Sequence, residues 1–121
     1  TVASSVGLKL KHQVDGIDLT PALKGKNLDR ESLYWHYPHY SNQGGIPGGA
    51  IRMGDYKLFE NYEDGKVSLY NLKKDIGETK DLSSNDPKRV KNMRTKLHAW
   101  YKKVDAKFLQ PKGESGDPWR P

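Results

Sequence analysis

The chain has 121 residues, a formal net charge of +6 and an apolar content of 34%, and it contains no cysteine. This length is enough for one domain with a single core, which must depend on aromatic side chains because other apolar residues are few. The lack of cysteine excludes disulfides and thiolate metal sites. No apolar run approaches the roughly 18 residues of a membrane-spanning helix, so we predict no membrane partner.

Residues 1–31 predict two short helices and their turns rather than a core. The first helix is interrupted at Gly7, and the second runs through Leu23, with Pro21 in its first turn and Gly25 after its end. We interpret this segment as the end of a preceding domain or as a connector.

Four segments rich in aromatic and β-branched residues predict an antiparallel sheet. They are residues 33–37, 50–53, 56–62 and 67–71. Gly54-Asp55 and Asp64-Gly65 separate the later segments and are typical of tight hairpin turns, because these residue types tolerate positive φ. The alternation places Leu58 on one face of the sheet and Phe59 on the other, which indicates a second layer on the face that the helix leaves open. The alternative is that aromatic side chains of this face lie on a solvated surface.

A long amphipathic helix is predicted over residues 87–108. Pro87 suits its first turn after a cap at Asn85 or Asp86. Apolar residues recur in helical steps at Val90, Met93, Leu97, Trp100, Tyr101, Val104 and Phe108. The predicted fold class is therefore α+β, a four-stranded antiparallel sheet with this C-terminal helix packed on one face, followed by a mobile tail over 111–121.

The positive charge is concentrated in the predicted helix. Eight basic and two acidic residues lie between Asp86 and Phe108, so this segment alone carries +6 and the rest of the chain is neutral. One interpretation is a free-standing polyanion-binding module that uses helix 87–108, and the other is a solvated helix face. No nucleic-acid motif is present, and we predict no nucleic-acid partner.

Several short motifs follow one another in order between Asp15 and Phe108. They are Asp15-Gly16-Ile17-Asp18-Leu19, Leu33-Tyr34-Trp35-His36-Tyr37, Gly54-Asp55-Tyr56-Lys57-Leu58, Leu69-Tyr70-Asn71-Leu72 and Asp81-Leu82 ahead of the final helix. The ordered set resembles the C-terminal part of a type I sulfatase, an arylsulfatase-like enzyme of the alkaline-phosphatase superfamily. The resemblance implies a sulfatase C-terminal subdomain over residues 32–110. It also implies a periplasmic or secreted parent enzyme that hydrolyses sulfate esters of a sulfated carbohydrate, with the N-terminal catalytic domain of the same parent as partner.

The chemistry that the resemblance implies has no counterpart in this chain. The family's nucleophile is a formylglycine made from Cys or Ser within Cys/Ser-x-Pro-x-Arg, and no serine here fits that motif. Formylglycine and calcium are therefore implied for the catalytic domain that lies outside this chain. We predict that the chain holds no cofactor and is inactive alone.

The long connection from Pro38 to Gly49 supplies candidate substrate-binding residues, because loops of this length in compact domains are commonly functional. The candidates are His36, at the end of the preceding strand, and four residues of the connection: His39, Tyr40, Asn42 and Gln43. Placed at the mouth of a cleft, they offer hydrogen bonds to sugar hydroxyls or a sulfate. The alternative is an ordinary polar loop.

Two further assignments concern charged and metal-binding chemistry. Arg52 is a candidate contact for an anionic substrate through its planar guanidinium, and the alternative is a cross-strand ion pair with Glu60 or a neighbouring acid. His36 and His39 are spaced for metal binding, but two ligands are too few for a zinc site. We predict no metal site in this chain.

Overall fold

The architecture is that of a computed structural model, described for residues 1–12, 14–110 and 119–121. The chain divides into two units, Thr1–Arg30 and Glu31–Pro121. Most of the predicted tail, residues 111–118, lies outside the described residues. No helix of the described ranges is both long and apolar enough to cross a bilayer.

The first unit contains two single-turn helices, α1 (Val2–Ser5) and α2 (Thr20–Leu23). Gly7 and Gly25 follow them with φ of 70° and 72°, values that glycine adopts without steric cost. The Leu19 amide donates to Thr1 Oγ1 at 2.7 Å. Neither helix contributes a buried residue, which agrees with the sequence-based expectation that this segment forms no core.

The second unit is a four-stranded antiparallel sheet with one long helix. The strands are β1 (Ser32–Tyr37), β2 (Gly48–Met53), β3 (Tyr56–Asn61) and β4 (Val67–Asn71), and the helix is α3 (Pro87–Lys103). The strands are hydrogen-bonded in sequence order. The predicted α+β fold class is confirmed, as are the turns at Gly54-Asp55 and before Val67.

Strand β2 begins two residues earlier than the sequence predicts. Gly48 and Gly49 pair with Tyr37 and His36 of β1, so the connection after β1 is shorter than the predicted one and spans residues 38–47. Both positions are glycine because neighbouring aromatic rings occupy the space that a side chain would need. A Cβ at Gly48 meets the ring of Phe59, and a Cβ at Gly49 meets the tyrosine hydroxyls beneath α3.

Helix α3 ends five residues earlier than predicted, at Lys103. Asp105 has a φ of 51°, a left-handed conformation that terminates helices. The Ala106 amide donates to the Tyr101 carbonyl at 3.0 Å, and the Asp105 amide donates to the Lys102 carbonyl at 3.3 Å, which is the Schellman pattern. At the other end of the helix, the predicted cap is confirmed because Asp86 Oδ1 accepts the Arg89 amide at 3.0 Å.

One face of the sheet and one side of α3 form the core. The buried side chains are Ile51, Leu58, Tyr62 and Leu69 from the sheet region and Met93, Leu97 and Tyr101 from the helix. Phe108 packs against this cluster after the helix has ended. The alternation of the strands places their other side chains on the opposite face, which none of the helices and strands described for this unit covers.

The three tryptophans occupy three different surroundings. Trp35 lies on the open face of the sheet and is 49% exposed. Trp100 of α3 stacks on Tyr34 with ring centroids 5.0 Å apart. Trp119 stacks on Tyr62 at 5.9 Å, close over Gly65, where no Cβ could be accommodated.

Candidate functional site

The loop that joins β1 to β2 is held by its own hydrogen bonds. The Ser41 amide donates to the Gly45 carbonyl at 3.0 Å, and the Gly44 amide donates back to the Ser41 carbonyl at 3.1 Å. Gly44 has a φ of 86°, which a residue with a side chain adopts only with strain. The Gln43 amide also donates to Ser41 Oγ at 3.1 Å. The backbone therefore forms a defined turn that presents its side chains outward.

Four of the predicted site residues lie together on this loop and are exposed. They are His39, Tyr40, Asn42 and Gln43. The Tyr40 hydroxyl donates to Glu63 Oε1 at 3.0 Å, which ties the loop to the β3–β4 turn. The same carboxylate raises the pKa of Tyr40 above its ordinary value, because it stabilises the protonated phenol. His39 packs edge-on against Tyr37 at 5.5 Å.

His36 lies apart from the loop residues, on the face of the sheet that α3 covers. Its Nε2 is 2.8 Å from the Lys107 carbonyl, and its Nδ1 is 2.6 Å from the Tyr62 hydroxyl. A carbonyl only accepts, so Nε2 carries the proton and Nδ1 accepts the hydroxyl proton. Both ring nitrogens are thus engaged within the chain, and they link the end of β1 to the segment after α3.

Arg52 lies on the opposite, open face of the sheet and is exposed. Its Nε donates to the Gly54 carbonyl at 3.2 Å. The alternative ion pair between Arg52 and Glu60 is wrong, because Arg52 pairs in register with Lys57 and the Glu60 carboxylate turns to the helix side, 2.6 Å from Arg94. The six predicted residues therefore fall in three places: the loop, the covered face and the open face.

The open face of the sheet combines exposed apolar side chains with charged ones. Leu33, Trp35 and Tyr37 of β1 are 38%, 49% and 49% exposed. A hollow of about 400 Å³ lies among Trp35, Ala50, Arg52, Lys57, Phe59, Leu72 and Glu78. The Lys57 ammonium closes one side of it, donating to both Glu78 oxygens at 2.7 and 2.8 Å. A contiguous exposed apolar surface with a polar rim is typical of an interaction site.

A buried polar network that we did not predict lies beneath α3. Glu60 is fully buried, and its carboxylate accepts from Arg94 Nε at 2.6 Å. His98 Nε2 is 2.9 and 3.0 Å from the two Glu60 oxygens, and the Tyr101 hydroxyl donates to Oε2 at 3.4 Å. Burial raises the pKa of Tyr101, and also that of Tyr62. The spacing of Arg94, His98 and Tyr101 along one side of the helix is the sequence pattern that could have revealed this network.

The described residues do not fit the groups that the resemblance implies. Within residues 1–12, 14–110 and 119–121, no group of three or more His, Cys, Asp or Glu side chains could hold a metal ion. The chain also has no cysteine to become a formylglycine. We therefore assign no calcium and no nucleophile to the described residues.

Comparison with known proteins identifies the family. Residues 1–107 match the family model described as N-sulphoglucosamine sulphohydrolase, C-terminal. The chain belongs to this family. It is thus a sulfatase C-terminal domain, as the ordered motifs indicate.

Relatives and solved structures agree with this identification. The domain is 34% identical to a sulfatase from Formosa agariphila over 123 residues, covering 88% of this chain and 22% of the relative. It is 32% identical over 97 residues to a delta 4,5-hexuronate-2-O-sulfatase from Bacteroides thetaiotaomicron, covering 75% of this chain and 19% of the relative. This chain therefore spans about a fifth of the length of these curated relatives.

Two solved structures share the fold. The first is a putative sulfatase from Bacteroides thetaiotaomicron, with a TM-score of 0.73 and 24% identity over 87% of this chain and 24% of that one. The second is BT4656 in complex with its substrate D-glucosamine-2-N,6-O-disulfate, with a TM-score of 0.70 and 23% identity over 85% of this chain and 22% of that one. At these identities the structures support the fold of the sulfatase domain.

Proposed function

We propose that this domain is the C-terminal part of an enzyme that hydrolyses sulfate esters of a sulfated carbohydrate, and that its open sheet face packs against the catalytic domain. The observation that carries the proposal is the exposure of Leu33, Trp35 and Tyr37 on that face. A sheet with apolar side chains on both faces requires a second layer. The family match favours this role over a free-standing polyanion-binding module.

The catalytic domain is the occupant that suits this face. About four-fifths of each curated relative lies outside the part that this domain matches, which leaves ample chain for a second layer. The face itself combines aromatic area with the exposed guanidinium of Arg52. An apolar surface of the catalytic domain complements the aromatic part of this face, because buried apolar area stabilises the contact.

The β1–β2 loop is the part of the domain that we assign to the substrate. Its exposed side chains His39, Tyr40, Asn42 and Gln43 present donors and acceptors suited to sugar hydroxyls and sulfate. Arg52 is the candidate for a sulfate contact if the catalytic domain leaves its guanidinium accessible. His36 contributes by fixing the end of β1, from which the loop departs. Formylglycine and calcium belong, in this proposal, to the catalytic domain.

Replacing Trp35 tests the docking face. In the isolated chain, Trp35→Ser is expected to change the free energy of unfolding by less than about 1 kcal/mol, because the ring is half exposed. In the full-length enzyme the same change is expected to lower activity on a sulfated disaccharide about tenfold or more, because an aromatic anchor of the contact is lost. Ile76→Ser is the matched control, since Ile76 is 83% exposed outside this face.

The controls for this test separate docking from folding. The unmodified chain alone is expected to show no turnover of an aryl sulfate, and any turnover contradicts the assignment of the chemistry to the catalytic domain. Trp35→Ser and Ile76→Ser enzymes of equal activity and equal stability would show that the open face is not the docking surface.

Replacing His39 tests the loop. In the full-length enzyme, His39→Ala is expected to reduce kcat/KM for a sulfated oligosaccharide several-fold more than for a small aryl sulfate, because a contact remote from the reacting bond serves only the larger substrate. The exposed His12 gives the matched control variant His12→Ala. Equal losses on both substrates would indicate a folding defect, and unchanged kinetics would reduce the loop to a connector.

A further inference from the structure

The helix α3 carries seven Lys or Arg residues and no Asp or Glu. A helix face that serves only solubility usually mixes both signs of charge. Three of the seven are held by acids outside the helix: Arg89 pairs with Asp86, Arg94 with Glu60 and Lys96 with Glu31. The remaining four make no ion pair within the part of the chain that the structure describes. They are Lys88, Lys91, Lys102 and Lys103.

A groove follows one side of this helix between two of the unpaired lysines. It consists of two adjoining hollows of about 410 and 380 Å³ that share His98. Lys91 lines the first hollow, together with Arg94 and Thr95, and Lys102 lines the second. The two lysines are eleven residues apart, so the groove is about 17 Å long at the helical rise per residue. This shape suits an extended ligand rather than a compact one.

Within residues 1–12, 14–110 and 119–121, the acids that line or underlie the groove already have partners. Asp105 lines the second hollow, and its carboxylate pairs with Lys107. Glu60 lies buried beneath the groove, where Arg94 and His98 hold it. Among the described residues, Lys91 and Lys102 therefore remain as lysines without an ion-pair partner at the two ends of the groove.

We propose that this groove binds a sulfated glycan chain as a second contact, separate from the β1–β2 loop. The identity of the ligand class rests on the proposed function, whereas the site itself rests on the lysines and the groove. The groove lies on the helix side of the sheet, away from the open face assigned to the catalytic domain, so both contacts are compatible. A chain held there raises the local concentration of further sulfate groups for the same enzyme.

Heparin, a highly sulfated polysaccharide, is the probe for this site. The 121-residue chain is expected to bind heparin with an affinity that falls steeply as salt rises, because binding releases counterions. The double variant Lys91→Gln/Lys102→Gln is expected to bind about tenfold more weakly, with a salt slope smaller by about two counterions. Isothermal titration calorimetry over a series of salt concentrations measures both quantities.

A charge-matched control makes the test specific. Lys73→Gln/Lys74→Gln removes the same charge from two exposed lysines outside the groove and is expected to lower the affinity much less. Circular dichroism checks that both variants are folded. Equal affinities of the two double variants would overturn the proposal, and so would binding of unsulfated hyaluronan or duplex DNA as tight as that of heparin. This assay needs no catalysis. A negative result would therefore count against the groove and would not bear on the activity test of the proposed function.

Discussion

Glu60→Ala is expected to lower the free energy of unfolding of this domain by about 1–3 kcal/mol, because it removes a fully buried acceptor from its partly exposed partners Arg94 and His98. Glu60 is fully buried and accepts hydrogen bonds from Arg94 at 2.6 Å and from His98 at 2.9 Å. The loss combines these hydrogen bonds with the space that the missing carboxylate leaves beside Tyr101. Urea denaturation followed by circular dichroism measures the change.

Two further variants show whether the loss of stability comes from the buried carboxylate of Glu60. Glu63→Ala removes an exposed glutamate from the neighbouring turn and is expected to cost no more than about 1 kcal/mol. Glu60→Gln keeps the shape and one acceptor oxygen and is expected to fall between these values. A Glu60→Ala chain as stable as Glu63→Ala would mean that the hydrogen bonds of the Glu60 carboxylate do not stabilise the folded chain.

Leu97→Ala is expected to destabilise the domain by about 2–5 kcal/mol, the range for truncating a buried leucine. Leu97 is fully buried in the middle of α3, between Met93 and Tyr101, and packs in the cluster that contains Leu58. The loss combines apolar contact with a cavity that the surrounding side chains fill only in part. The denaturation midpoint of the purified chain reports it.

The matched control for Leu97 lies on the exposed side of the same helix. Asn92→Ala is expected to leave stability unchanged or slightly higher, because alanine has the greater helix propensity. If Leu97→Ala unfolds at the same urea concentration as Asn92→Ala, the helix does not contribute to the core through this residue.

The sequence predicted the sheet well because its turns are encoded locally. Gly54-Asp55 and Asp64-Gly65 stand where hairpins reverse, and the alternation between them fixes which side chains share a face. The start of β2 was not predictable in this way. Gly48 and Gly49 have the composition of a loop, and only the rings packed over them show why glycine is required in the strand.

The end of α3 and the buried network were missed for a different reason. Asp105 adopts the left-handed conformation that glycine usually adopts at a helix end. Because no glycine stands there, the apolar stripe predicts a helix that continues to residue 108. Glu60 shares a face with Leu58, and the same alternation that placed Leu58 in the core would have placed this carboxylate there too. The alternative ion pair with Arg52 rests on charge alone, and the register places Glu60 and Arg52 on opposite faces of the sheet.

Because the three tryptophans have different surroundings, the fluorescence of one of them can report on a single surface of the domain. Trp100 and Trp119 stack on tyrosines of the helix side, whereas Trp35 stands half exposed on the open face. Replacing Trp100 and Trp119 with phenylalanine leaves Trp35 as the single tryptophan of this chain, on the surface assigned to the catalytic domain. Its emission then moves to shorter wavelength when a second layer excludes water from the indole, so the joining of the two domains can be followed in solution without a label.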